Sequence, residues 1–128
     1  MKKILLDTNF LMIPATMKVD IFSEIDRIVD GAHEICVLDR TIDELSGIVE
    51  KQKGRHGQAA KLALELVKRK GLKVIKTESI KNVDEIILEI ADKKLFIVAT
   101  QDSELKARLK ANGVPIIVLR QKGYLKLI

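Results

Sequence analysis

The sequence predicts an α/β fold in which a mainly parallel sheet is covered by helices on both faces. Short apolar segments alternate with amphipathic segments of helical period along the whole chain. The apolar segments are continuous rather than alternating with polar residues, as strands buried on both faces are. No repeat or Pro/Gly/Ser-rich linker divides the 128 residues. We therefore expect residues 1–128 to form a single domain with right-handed crossovers.

Five strands are expected, each from a short run rich in Ile, Val or Leu that follows a glycine or a polar break. The runs are residues 4–6, 35–38, 72–75, 95–99 and 116–119. Five amphipathic segments lie between them, with apolar residues on one helical face. These segments are residues 19–29, 42–49, 59–67, 83–91 and 105–109.

Two aspartates stand where predicted strands end. Asp7 directly follows the first run, and Asp102 ends the sequence Ala99-Thr100-Gln101-Asp102 after the fourth. Open α/β sheets bind ligands at the carboxyl ends of strands, where the strand order reverses. If the order reverses between the first and fourth strands, both carboxylates face one crevice. The alternative is that each only begins or caps the helix that follows it.

Two further carboxylates are selected by helical angle, at about 100° per residue. Glu44 borders the apolar face of its helix, although Thr41-Ile42-Asp43-Glu44 also has the form of a capping box. Asp84 falls inside the apolar arc of its helix, where an ionised carboxylate is rarely left without a partner or a metal. The alternative for Asp84 is a capping role near Asn82.

Basic charge is concentrated in residues 51–76. This segment has nine lysines and arginines and one acidic residue, Glu65, whereas the net charge of the whole chain is only +5. Such a separation suits a polyanion held beside an acidic site, and its alternative is a solvated helix face. The candidate nucleic-acid contacts in the segment are Lys51, Lys53, Arg55 and Lys61.

Composition excludes several classes of protein. One cysteine and two histidines permit neither an intrachain disulfide nor a structural zinc cluster. The longest apolar run is far shorter than a membrane span, so we expect a cytoplasmic protein without membrane association. Four aromatic residues provide no platform on which bases could stack.

Four carboxylates without histidine or thiolate ligands favour Mg²⁺ or Mn²⁺. One or two such ions would offset the repulsion, orient a water and stabilise charge on a phosphoryl group under attack. With the basic segment holding the strand, the residues predict a metal-dependent nuclease.

These residues also resemble the PIN-domain ribonucleases over essentially the whole chain. The resemblance rests on Asp7-Thr8-Asn9, Glu44, Asp84 and Thr100-Gln101-Asp102. The stretch from Ile97 to Leu109, followed by Gly113-Val114-Pro115-Ile116, is most similar to the archaeal and eukaryotic nucleases that process ribosomal RNA.

The resemblance implies a three-layer α/β/α Rossmann-like fold with a five-stranded sheet in the order 3-2-1-4-5. It implies that the matching acids bind one or two Mg²⁺ or Mn²⁺ ions and are the catalytic residues: Asp7, Glu44, Asp84 and Asp102. Three residues match supporting positions: Asn9, Thr100 and Glu104. Cleavage of RNA would leave a 5′-phosphate and a 3′-hydroxyl.

The implied role is endonucleolytic processing of structured or ribosomal RNA, with a homodimer or ribosome-assembly factors as associations. Toxin ribonucleases of toxin/antitoxin pairs share the four acids, so a toxin with an antitoxin partner is one alternative. A non-catalytic PIN domain that only binds RNA is the other. Phosphatases of the haloacid dehalogenase type need an acid at Asn9, and receiver domains need an aspartate where Ile75-Lys76-Thr77 stands, so both are excluded.

Overall fold

The computed structural model describes residues 1–128 and contains six strands and seven helices. The strands are β1 (Lys2–Leu6), β2 (His33–Leu38), β3 (Lys73–Ile75), β4 (Phe96–Ala99), β5 (Ile116–Arg120) and β6 (Tyr124–Leu127). The helices are α1 (Thr8–Leu11), α2 (Ile13–Met17), α3 (Ile21–Ile28), α4 (Asp39–Lys51), α5 (Arg55–Arg69), α6 (Val83–Ile90) and α7 (Ser103–Ala111). None of the helices has both the length and the apolar character needed to cross a membrane.

The strands form one sheet in the order β3-β2-β1-β4-β5-β6. β1 pairs in parallel with both β2 and β4, so the strand order reverses between β1 and β4, as the fold prediction requires. The remaining parallel pairs are β2 with β3 and β4 with β5. The α/β prediction is confirmed, with one strand more than expected.

The extra strand is β6, which pairs antiparallel with β5. The turn between them places Gln121 and Lys122 at φ values of 51° and 55°. Glycine or asparagine usually occupies such positions, so the sequence lacks the ordinary signal for a hairpin. Helix α3 covers the outer edge of β6: the Leu125 N–H donates to Glu24 Oε1 at 3.0 Å, and the Leu125 carbonyl accepts from Arg27 Nη2 at 3.2 Å.

Two hydrophobic cores lie on opposite faces of the sheet. Along β1, Ile4 and Leu6 face the core beneath α1 to α5, whereas Leu5 faces the core beneath α6 and α7. Cys36 is buried in this second core, as predicted. The short helices α1 and α2 are not among the five predicted amphipathic segments, because four and five residues are too few to establish a helical period; α1 corresponds to the helix that the capping alternative for Asp7 assumed.

The turn from α4 into α5 brings two backbones into close approach at Gly57. A Cβ atom added to Gly57 would lie 2.0 Å from the carbonyl oxygen of Gln52, so the backbone would have to move. We expect Gly57→Ala to destabilise the protein by about 1–3 kcal/mol.

The control for this prediction is Gly47→Ala in the interior of α4, where an added Cβ meets nothing within 4 Å. Helix propensity alone should then raise stability by about 0.5–1 kcal/mol. Urea denaturation of both variants measures the two effects. Equal stabilisation by both substitutions would show that the contact at Gly57 does not constrain the turn.

Candidate active site

A polar cleft of about 460 Å³ opens at the carboxyl end of the sheet. The four predicted acids line it, each from a different part of the fold: Asp7, Glu44, Asp84 and Asp102. A fifth carboxylate, Asp43, and other polar residues complete the wall: Thr8, Asn9, Arg40, Lys51 and Gln52. The structure therefore brings all four predicted acids to one cleft.

Asp7 stands between β1 and α1 and is fixed through both carboxylate oxygens. Oδ1 accepts a hydrogen bond from the Thr8 N–H at 2.8 Å, which makes Asp7 the N-cap of α1. Oδ2 accepts from the Thr100 hydroxyl at 2.9 Å. The capping alternative is thus correct as a description of Asp7, but capping uses only one of its two oxygens.

Thr100 links Asp7 to Asp102. Its fully buried hydroxyl donates to Asp7 and also accepts from the backbone N–H of Asp102 at 3.1 Å. Asp102 itself caps α7, because its Oδ1 accepts from the Leu105 N–H at 2.8 Å. Thr100 therefore links the N-cap of α1, Asp7, to the N-cap of α7, Asp102, at the ends of the neighbouring strands β1 and β4.

Glu44 is held from the side of α1. Its Oε1 accepts from the Thr8 hydroxyl at 2.5 Å, and that hydroxyl also lies 3.2 Å from the hydroxyl of Thr41. The capping-box alternative for Glu44 is wrong: α4 begins at Asp39, two residues before Thr41, and has no side-chain cap. Thr41 is a fully buried residue inside the helix.

Asp84 lines the cleft, but it is not buried as predicted. The helical angle placed it inside an apolar arc, yet its side chain is exposed. Asp84 lies in the first turn of α6, where the apolar face ends and the cleft begins. Asn82 is the N-cap of that helix, accepting from the Glu85 N–H at 3.1 Å, so Asp84 is not needed as a cap.

The electrostatics of the cleft are visible at Asp7. Burial raises the pKa of the Asp7 carboxyl, and the hydrogen bonds from Thr100 and Thr8 only partly oppose that rise. The charges of Asp84 and Asp102 raise the pKa further. The fold therefore holds a carboxylate where desolvation and like charges both disfavour its ionised form.

The four acids share the cleft without forming a closed cage. No three His, Cys, Asp or Glu side chains are close enough together to hold a metal ion as one group. The donors are all oxygens, which suits a hard cation, and Mg²⁺ typically keeps several waters and takes only one or two carboxylates directly. An open, oxygen-lined cleft therefore fits such an ion better than zinc.

The other predicted residues divide by position. Asn9 and Lys51 line the cleft, whereas Glu104 is exposed in the first turn of α7 outside it. Lys53 and Lys61 are exposed and also lie outside it. Arg55 borders a second groove, described below.

Arg40 is a cleft residue that the sequence analysis missed. Its Nε donates to the Lys81 carbonyl at 3.2 Å, and its Nη1 lies 3.4 Å from Asp43 Oδ2. These contacts hold a guanidinium at the wall of an acidic cleft. Arg40 lies two residues after the end of β2, and the rule that selected Asp7, a polar residue just after a predicted strand, would also have selected Arg40.

Together the fold and the cleft define a three-layer α/β/α protein with an acidic site at the switch point of its sheet. Comparison with known proteins then assigns the family. A family model described as PIN like domain matches residues 4–122, and the chain belongs to the PIN-domain ribonuclease family.

Individual relatives agree with this assignment. The chain is 36% identical over 130 residues to Ribonuclease VapC4 of Methanocaldococcus jannaschii, covering 99% of this chain and 97% of the relative. It is 31% identical over 120 residues to Ribonuclease VapC9 of Archaeoglobus fulgidus, covering 94% and 80%. The structure of the PIN domain endonuclease Utp24 superposes with a TM-score of 0.79 at 23% identity, over 98% of this chain and 90% of that one, and shows the shared fold.

Proposed function

We propose that the protein is an endoribonuclease that hydrolyses RNA phosphodiester bonds at the acidic cleft. The observation that carries the proposal is the convergence of four carboxylates on one cleft where the strand order reverses. Two relatives named as ribonucleases over nearly the whole chain support it.

We further propose Mg²⁺ or Mn²⁺ as the cofactor, with Asp7, Glu44, Asp84 and Asp102 as its ligands, one or two of them direct and the others through bound water. When bound, such an ion supplies Lewis-acid chemistry: it offsets the repulsion among the carboxylates and the charge that develops on the phosphoryl oxygens. Asp7 is the central ligand in this proposal, because it alone is fixed through both oxygens and feels the charges of two other acids.

The remaining cleft residues position the reacting groups. Thr8 holds Glu44, and Thr100 holds Asp7 and the start of α7, so the carboxylates are oriented before substrate arrives. Arg40 and Lys51 provide the positive charge that a bound phosphodiester requires. In the reaction a water oxygen bonds to phosphorus and the bond to the 3′ oxygen breaks. The attacking water gives up one proton, the 3′ oxygen takes one up and leaves as a hydroxyl, and the phosphate stays on the 5′ end.

The biological role has two candidates. Similarity of residues 97–109 to the ribosomal-RNA processing nucleases favours a processing enzyme. The VapC ribonucleases among the relatives favour a toxin ribonuclease restrained by an antitoxin. Because VapC4 is 36% identical over 99% of this chain, we consider the toxin role at least as well supported as the processing role.

Cleavage of a circular single-stranded RNA tests the proposed activity, because only an endonuclease opens a circle. We expect wild-type protein with Mn²⁺ to produce linear RNA carrying a 5′-phosphate. Asp102→Asn should be inactive although folded, since asparagine still accepts the Leu105 hydrogen bond that caps α7.

The control for that variant is Asp92→Asn. Asp92 accepts hydrogen bonds from the N–H groups of Lys94 and Leu95 in the turn before β4, outside the cleft. This variant should cleave like wild type. An intact circle with wild-type protein would refute the activity, and equal cleavage by Asp102→Asn would refute the site.

A further inference from the structure

A basic groove lies between α2 and α5, separate from the acidic cleft. Two cavities of about 530 and 580 Å³ adjoin there and share Pro14, Lys18 and Leu62 as wall residues. They therefore form one continuous depression along α5. From here on it is called the α2–α5 groove.

The charge of this groove is strongly unbalanced. Four cations line it, namely Lys18, Arg55, Arg69 and Lys70, against one acid, Asp20. The carboxylate of Asp20 is already occupied as the N-cap of α3, where it accepts from the N–H groups of Phe22 and Ser23 and from the Ser23 hydroxyl.

The cations of the groove are largely unpaired within the chain. Lys18, Arg55 and Lys70 take part in none of the six ion pairs of the structure. Arg69 has one loose partner, Glu65, at 3.8 Å on the exposed surface. Lys70 lies 5.4 Å from the centroid of the Phe22 ring. Hydrogen bonds from Ser23 lower the pKa of Asp20, and the charge of Lys70 contributes to this lowering without forming an ion pair. An external anion is therefore the natural partner of these charges.

The groove begins close to the cleft. Gln52 lines the cleft and Arg55 lines the groove, and three residues of chain span at most about 11 Å. From Arg55 the groove follows α5 to Arg69, a helical rise of about 21 Å. A nucleic-acid strand leaving the cleft can follow this path with several of its phosphates beside cations.

We propose that the α2–α5 groove binds the single-stranded RNA segment that flanks the scissile phosphate, which makes substrate affinity depend on RNA length. This inference rests on the proposed endoribonuclease function. It adds Lys18, Arg69 and Lys70 to the RNA contacts and assigns Arg55 to the flanking segment rather than to the cleft.

The test combines Lys18→Gly with Arg69→Ala. Lys18 has a φ of 56°, a conformation that glycine adopts without strain, so the first substitution should not reduce the melting temperature. Arg69 is exposed, and alanine favours the helix there. The matched control is Arg108→Ala with Lys110→Ala, which removes two cations from the last turn of α7, on the other face of the sheet.

Binding is measured in the Asp102→Asn background with polyuridine RNAs of about 30 and about five nucleotides. The groove variant should lose affinity for the long RNA roughly tenfold at low salt, and its salt slope should fall by about 1.4, or 0.7 per phosphate contact. Affinity for the short RNA should not change, and the α7 control should match the parent on both RNAs.

An unchanged affinity and salt slope for the long RNA would overturn the inference. Equal losses on the long and short RNAs would overturn it as well, because the cations would then act at the cleft. If the length-dependent loss occurs but no protein cleaves RNA, the groove stands as a binding surface and the proposed catalysis fails. The two proposals are therefore tested separately.

Discussion

Replacing Asp7 by asparagine is expected to lower the rate of RNA cleavage by at least roughly 100-fold while leaving the protein folded. Asparagine keeps an oxygen for the Thr8 N–H, so α1 retains its cap. It removes the one carboxylate of the cleft that is fixed through both oxygens. The loss should therefore fall on the chemistry and not on the fold.

The stability of Asp7→Asn should change far less than its activity. Burial, with the charges of Asp84 and Asp102, raises the pKa of Asp7 above its ordinary value. An acid with a raised folded-state pKa favours protonation on folding, so its ionised form costs stability at neutral pH. Asp7→Asn removes that charge but also removes the oxygen that accepts from the buried Thr100 hydroxyl, so the two effects oppose each other and its melting temperature at pH 7 should stay within about 5 °C of that of wild type.

Two measurements check this pair of effects: thermal unfolding and cleavage of the circular RNA, each beside Asp92→Asn. Asp92 keeps its role in the turn before β4 when it becomes asparagine, so that variant controls for loss of a carboxylate elsewhere. A variant that melts well below wild type would mean that Asp7 serves the fold. A stable variant that cleaves normally would remove Asp7 from the mechanism.

The proximity of Asp7 and Asp102 could be predicted from the sequence. Asp7 and Asp102 follow strands, and the ends of parallel strands meet at one edge of a sheet, so the reversal between β1 and β4 joins them. Their roles as caps and as cleft residues are not alternatives, because a carboxylate has two oxygens and a cap uses one.

Other features depend on contacts between distant parts of the chain. The angle of Asp84 on its helix correctly placed it on the side that faces the sheet. Whether its side chain is buried depends on where α6 begins to cover the sheet, and Asp84 lies in the first turn. Nothing in the sequence links Thr8 to Glu44, and only packing of α1 against α4 brings the Thr8 hydroxyl to that carboxylate. Likewise, the α2–α5 groove exists only because Lys18 lies beside a helix about 40 residues further along.

Removing divalent cations should abolish cleavage, and adding Mn²⁺ or Mg²⁺ should stabilise the folded protein. A ligand that binds only the native state stabilises it by about 2.7 kcal/mol at a concentration of 100 times its Kd. For a domain of this size that corresponds to a rise in melting temperature of roughly 10 °C. The rise follows because an ion would relieve the repulsion among acids that already perturb the pKa of Asp7.

The ion-induced rise also locates the site, because it depends on the carboxylates that would hold the ion. Asp7→Asn should show less than about half of the wild-type rise, whereas Asp92→Asn should show all of it. Equal rises in the three proteins would place the ion elsewhere on the surface. Cleavage that continues after chelation would instead assign the reaction to the chain's own groups, with Arg40 and Lys51 as the cations facing the phosphate in the cleft.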